Sequence, residues 1–225
     1  MSEQLIALVF PGQGSQKVGM LAAAHERFQA VRDTFAEASQ ALGYDMWDLV
    51  QNGEQDALNL TETTQPVLLT CSVALWRAWL DEDGPRPAIM AGHSLGEFSA
   101  LVCAESLAFA DAVQLVRQRG AFMQTAVPVG EGAMAAIIGL DDDTINRVCG
   151  EAASHSGRTV AAVNFNSPGQ VVIAGHTGGV DEAITRLKEA GAKRAMPLPV
   201  SAPFHTELMK PAGERLAEAV AGLSI

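Results

Sequence analysis

Ala88-Ile89-Met90-Ala91-Gly92-His93-Ser94-Leu95-Gly96-Glu97 decides how the rest of the chain is read. Its four leading apolar residues give a short buried strand, and a helix is expected from about Glu97 to Glu105. Between them, Gly92-His93-Ser94-Leu95-Gly96 fits the pattern G-x-S-x-G with the strand-to-helix context that a nucleophile elbow requires. Such a turn holds the serine hydroxyl at the head of a helix, where backbone N–H groups point outward. The glycines are needed because the turn is sharp and leaves no room for side chains beside the serine. The plainer alternative is a serine that merely caps the helix.

Upstream, Leu5 to Phe10 is a second short apolar run, ending in Pro11-Gly12, and it too reads as a strand buried on both faces. A helical region follows to about Gly53. Thr61-Glu62-Thr63-Thr64-Gln65-Pro66 then opens another helix, with a capping hydroxyl and a proline at or near the first turn, that runs to Asp83-Gly84-Pro85. Downstream, Ala110 to Val127 forms a long helix. Strands alternating with helices give an α/β fold, a parallel sheet covered on both faces and α/β-hydrolase-like in kind.

The pattern changes near Pro128. Met134–Leu140, Thr159–Phe165, Gln170–Gly175 and Arg194–Val200 read as strands, and Asp142–Ala153 and Gly179–Ala190 as helices. The order βαββαβ is that of a ferredoxin-like unit. The expected organisation is therefore a main domain over 1–128 and 201–225, and a ferredoxin-like small subdomain over 129–200.

Composition narrows the function classes. Of 225 residues, 48% are hydrophobic and 18% charged, which suits a chain with a real core and argues against a disordered one. A net charge of −11 gives no support for nucleic-acid binding, which needs a basic face. Cys71, Cys103 and Cys149 form no C-x-x-C pair, and their odd number suits a reducing compartment. All three read as buried packing residues on helices. No apolar run approaches the roughly 18 residues of a membrane span, and the N-terminal residues lack the basic and apolar regions of a signal peptide. A cytoplasmic protein without a membrane partner is expected.

A serine nucleophile needs a base, and five histidines compete. His25 lies in a polar helical stretch, His93 abuts the serine in a turn too tight for the two to face each other, and His155 and His176 belong to the insert. His205 sits in a Pro-containing loop at the start of a helix, where the helix N-terminus favours the neutral imidazole that can accept a proton. From position alone, a capping or partly buried histidine is an equal reading. Arg119 shares one helical face with Ala112, Leu115, Val116 and Met123, so its guanidinium lies on an apolar stripe and needs a partner. An internal salt bridge or a snorkelling side chain would supply one. So would a substrate carboxylate gripped by a two-pronged hydrogen bond. Pro11-Gly12-Gln13-Gly14-Ser15-Gln16 lacks the G-K-[ST] of a phosphate loop. It is either a simple turn or a loop whose Gln13 N–H, with that of Leu95, forms an oxyanion hole.

Phe10-Pro11-Gly12-Gln13-Gly14-Ser15-Gln16, Gly92-His93-Ser94-Leu95-Gly96-Glu97 and Arg119-Gly120 occur in one order along the chain. Asn164-Phe165-Asn166-Ser167-Pro168-Gly169-Gln170 and Ser201-Ala202-Pro203-Phe204-His205 complete that order. In order and spacing the set resembles the malonyl-CoA:acyl-carrier-protein transacylases of dissociated, bacterial fatty acid synthesis. The resemblance implies Ser94 as acylated nucleophile, His205 as base, Arg119 as malonyl-carboxylate clamp, and Gln13 with Leu95 as oxyanion hole. It implies malonyl-CoA and acyl carrier protein as partners, and no cofactor or metal. Phe98 stands where many relatives have tyrosine, a packing change. Relatives continue past the helix ending near Leu223 with a further core strand, and with a segment whose backbone carbonyl orients the histidine. Two rivals remain open at this level: an esterase or thioesterase of the α/β-hydrolase kind using Asp181 as third triad member, and a non-catalytic module that binds carrier protein.

Overall fold

β1 (Ala7–Phe10) and β2 (Ile89–Gly92) pair in parallel, Ala7 opposite Ile89 and Phe10 opposite Gly92. The structure is a computed structural model and describes residues 5–200 and 202–224. Ser201, the first residue of the His205 motif, lies outside the described residues. The chain divides into two compact units, one running to Ala121 and resuming at Glu218, the other Phe122–Ala217.

In the first unit the crossover from β1 to β2 is helical: α1 (Ala22–Arg27), α2 (Gln29–Leu42), α3 (Met46–Asn52), α4 (Gln55–Asn59) and α5 (Thr61–Asp81). α2 buries Val31, Phe35, Ala38 and Leu42, a 4-3-4 spacing that makes one stripe on a 3.6-residue helix. That stripe packs on α5, and Arg77 of α5 reaches back to Glu37 at 2.7 Å. α5 begins at Thr61, as expected, but its N-cap is Leu60 with no side-chain cap, and Pro66 lies inside the helix. A proline there forfeits one backbone hydrogen bond. Packing on several sides of this 21-residue helix, including buried Val67, Leu68, Leu69 and Val73, outweighs that loss. β2 leads into α6 (Leu95–Cys103), and α7 (Phe109–Thr125) follows.

The expectation that both strands are buried on both faces is wrong. Val9 is 74% exposed and Ile89 65%, while Phe10 is buried. An apolar run announces that a strand can be covered, not that anything covers it. Among the described residues, β1 and β2 form a two-stranded sheet with one face open. The parallel pairing itself stands.

The second unit holds β3 (Gly132–Ile138), α8 (Asp142–Ser156), β4 (Val160–Ser167), β5 (Gln170–His176), α9 (Thr177–Glu189) and β6 (Arg194–Pro197). The strands form an antiparallel sheet in the order β4-β5-β3-β6. Asp141 starts α8 by accepting the Thr144 N–H at 2.8 Å. Strand alternation then sorts the side chains by period two. Ile137, Val171 and Ile173 join Ile145, Val148 and Leu187 of the two helices in one core. Met134, Val172 and Ala174 join Met123, Phe204 and Ala212 in another. The last of these belongs to α10 (Lys210–Ala221). The molecule is thus a mixed α/β protein with one parallel and one antiparallel sheet. Cys71, Cys103 and Cys149 are free thiols buried on α5, α6 and α8, as expected.

Candidate active site

Two glycines make the turn at Ser94 possible. A Cβ on Gly92 would lie 1.9 Å from the Gly96 carbonyl carbon, and one on Gly96 would lie 2.2 Å from Phe10 O. Neither space can hold a methyl group, so the end of β2 and the start of α6 close onto each other and onto the end of β1. The His93 N–H, bonded to Phe10 O at 3.0 Å, continues the strand pairing into the turn. Ser94 itself sits at φ 53°, ψ −102°. A non-glycine residue there costs roughly 1–3 kcal/mol and persists only when its surroundings hold it.

Ser94 occupies the N-cap position of α6, yet its side chain makes no cap hydrogen bond. The helix-capping reading therefore fails. Instead the hydroxyl oxygen accepts a hydrogen bond from Arg119 Nη2 at 3.1 Å. The guanidinium arrives from α7, on the stripe that buries Ala112, Leu115, Val116 and Met123. Arg117 points elsewhere, is exposed and lies over the Tyr44 ring. Arg119 Nη1 donates to Gln65 Oε1 at 2.8 Å, and the Phe98 ring lies 5.5 Å from the guanidinium carbon. Burial pushes the Arg119 pKa down from its ordinary value. An internal salt bridge does not account for this residue: among the described residues, no carboxylate forms an ion pair with it.

Gly120 explains how α7 comes so close. A Cβ there would meet Thr61 O at 2.5 Å and Glu62 Cα at 2.6 Å, so α7 and the first turn of α5 touch backbone to backbone. The same closeness carries Arg119 to Gln65. Gln65 is 1% exposed on α5, and the sequence reading passed over it. Reading Pro66 as a first-turn proline put Gln65 at a helix end. A polar carboxamide among Val67, Leu68 and Leu69 was the available signal.

Gln13 and Leu95 belong to the same unit as Ser94. Gln13 is half-buried in the loop after β1, and Leu95 opens α6 with its side chain buried. His205 belongs to the second unit. There Ala202 and Phe204 are buried in the core, while His205 is exposed at φ 63° just before α10. Thr206 fixes the local turn, donating to Pro203 O at 2.7 Å and accepting from Leu208 N. The other histidines are engaged elsewhere. His25 stacks on Trp47 at 3.7 Å, and its pKa is lowered, chiefly by burial. His155 closes α8 beside Glu182, and His176 accepts the Thr159 N–H at 3.2 Å. Asp181 is exposed in the second turn of α9, one turn further into the helix than the sequence suggested.

Known proteins bear on this arrangement. The acyl transferase domain family model matches residues 7–224. The malonyl CoA-acyl carrier protein transacylase of Salmonella typhimurium is 61% identical over 218 residues, covering 97% of this chain and 70% of that protein. The Escherichia coli K12 protein of the same name is 62% identical with the same coverage. The solved transacylase of Coxiella burnetii superposes with a TM-score of 0.97 at 53% identity, covering 99% of this chain and 70% of its own. A malonyl-transacylase solved with its type II PKS acyl-carrier protein superposes at 0.96 with 56% identity, covering 98% of this chain and 71% of its own. This chain spans about 70% of the length of these relatives. The family model and these relatives cover nearly the whole chain, and the chain belongs to the acyl transferase domain family, among the malonyl CoA-acyl carrier protein transacylases.

Proposed function

We propose that this chain is a cytoplasmic serine acyltransferase of fatty acid biosynthesis that moves the malonyl group of malonyl-CoA to the phosphopantetheine thiol of acyl carrier protein. The observation that carries the reading is the 3.1 Å bond from Arg119 to Ser94. It sets a guanidinium that has no carboxylate partner among the described residues one hydrogen bond from a strained serine, which suits a thioester whose acyl group ends in a carboxylate.

In the first half-reaction His205 takes the Ser94 proton as the oxygen attacks the malonyl thioester carbon. The carbon–sulfur bond then breaks and CoA leaves as a thiol, with the proton returned from His205. The N–H groups of Gln13 and Leu95 stabilise the oxyanion, each worth about 2.7–4 kcal/mol. Arg119 exchanges its bond to Ser94 for the malonyl carboxylate, which holds the acyl group in place. In the second half-reaction the carrier-protein thiol gives its proton to His205 and attacks the malonyl-serine ester, restoring Ser94.

The architecture we infer is an α/β-hydrolase-like main domain over 1–128 and 201–225 with a ferredoxin-like subdomain over 129–200. The β1–β2 parallel pair and the β4-β5-β3-β6 order support it. Three buried free thiols suit a reducing cytosol.

The test is incubation with radiolabelled malonyl-CoA. A stable label on Ser94, discharged by carrier protein, is expected. Rapid release of free malonate would instead mark a hydrolase, and no label would sink the reading.

A further inference from the structure

Every described partner of Arg119 is electrically neutral. Nη1 donates to the Gln65 carboxamide, Nη2 donates to the Ser94 hydroxyl, and the nearby ring is Phe98. That is unusual for a desolvated guanidinium, which ordinarily recruits a carboxylate from its own protein. The choice of Gln65 matters most, because it lies 2.8 Å from the guanidinium and is itself 1% exposed. A buried carboxamide is tolerated only when hydrogen-bonded, and this contact engages its carbonyl oxygen. A carboxylate at the same place could accept the same Nη1 hydrogen. It would also cancel the positive charge and repel any incoming anion.

We infer that Gln65 is a positioning residue that holds Arg119 in place without neutralising it, and so sets the preference for acyl groups ending in a carboxylate. The inference rests on Arg119 being the carboxylate clamp. Of the guanidinium nitrogens Gln65 engages Nη1, and Nη2 is directed at Ser94. Arrival of the substrate carboxylate then costs one bond to a neutral acceptor, from Nη2 to the hydroxyl, and no ion pair.

The experiment compares Ser94 acylation by malonyl-CoA and acetyl-CoA in the wild type, Gln65→Glu, Gln65→Met and Arg119→Ala. If Gln65 serves only to hold the helices together, glutamate should be the better tolerated change, being isosteric and able to pair with Arg119. The inference requires the opposite order. Gln65→Glu should lower malonyl kcat/KM by about 10²-fold or more, mainly through KM, because the clamp's charge is already spent inside the protein. Acetyl-CoA, with nothing to repel, should react much as before. Gln65→Met keeps the charge but loses one charge-assisted bond, so malonyl kcat/KM should fall only about tenfold. A Gln65→Glu protein that keeps the wild-type malonyl-to-acetyl ratio overturns the inference. Should that chain not fold, Gln65→Met decides, and an unchanged ratio there overturns it. Arg119→Ala separates the two levels. If it collapses the ratio while both Gln65 variants keep it, the clamp stands and Gln65 has no part in it. If Arg119→Ala itself keeps the ratio, the clamp falls.

Discussion

Adding a single methyl group at Gly120 should loosen the site without touching any reacting atom. In Gly120→Ala the new carbon would sit 2.5 Å from Thr61 O, where ordinary contact begins near 3.4 Å. The obstacles are backbone atoms of α5, not a flexible side chain, so α7 must withdraw by roughly 0.9 Å or the turn must distort. The Arg119–Gln65 bond, 2.8 Å long, spans the same two helices. A withdrawal of that size carries it beyond hydrogen-bonding range. Overpacking of this kind costs about 1–3 kcal/mol, and in a chain of this size each kcal/mol lowers Tm by about 2–4 °C. The expected outcome is a folded protein with a lower melting temperature by circular dichroism and a reduced malonyl-to-acetyl acylation ratio, with Ser94 still acylated. A variant with wild-type Tm and wild-type ratio would refute the argument that α5 and α7 meet without slack and that their spacing tunes Arg119.

Ser94→Ala should abolish acyl-enzyme formation and His205→Ala should slow it severely, while Asp181→Asn leaves it intact; loss of activity in Asp181→Asn, followed by intact-mass labelling, would favour a triad hydrolase. Arg119→Ala should lower the preference for malonyl-CoA over acetyl-CoA by on the order of 10² to 10³, with lysine rescuing only in part because a point charge cannot make two parallel bonds. An unchanged preference would send the search for the clamp elsewhere. Burial pushes the Cys71 and Cys103 thiols up to about 12 and Cys149 to about 11. Iodoacetamide at pH 8 should therefore leave all three unmodified in the folded protein and alkylate them in guanidinium, as read by mass; rapid alkylation of the native chain would contradict their burial.

The elbow was legible because its chemistry is local: a strand, five residues and a helix carry it, and the two glycines report the crowding they relieve. The βαββαβ order was legible for a similar reason, since alternation and helical periodicity are properties of short windows. What escaped was whatever depends on distant chain. The cost of Pro66 is local, but the packing that overrides it comes from α2 and from the length of α5 itself. Gln65 and Arg119 are 54 residues apart, and no window contains both. Arg119 could be singled out because its own stripe is amphipathic in the wrong place, yet the stripe says nothing about what faces it. The open side of β1 and β2 was missed in the same way, because hydrophobicity records what a strand would accept as cover.

That open side has a practical consequence for the thermal experiment. Leu5 is 82% exposed, Val9 and Ile89 carry the patch across both strands, and Trp79 and Leu75 of α5 are nearly half exposed. A cleft lined by Leu8, Phe10, Leu68, Leu75, Trp76 and Trp79 adjoins them. Such a surface takes up environment-sensitive dyes while every helix is still folded. A dye-based melting curve of this chain should start bright and shift little, which could be mistaken for a protein already unfolded. Its four-residue edge strand is also a template for pairing with another chain, so the same surface should make light scattering rise with protein concentration before the far-ultraviolet signal changes.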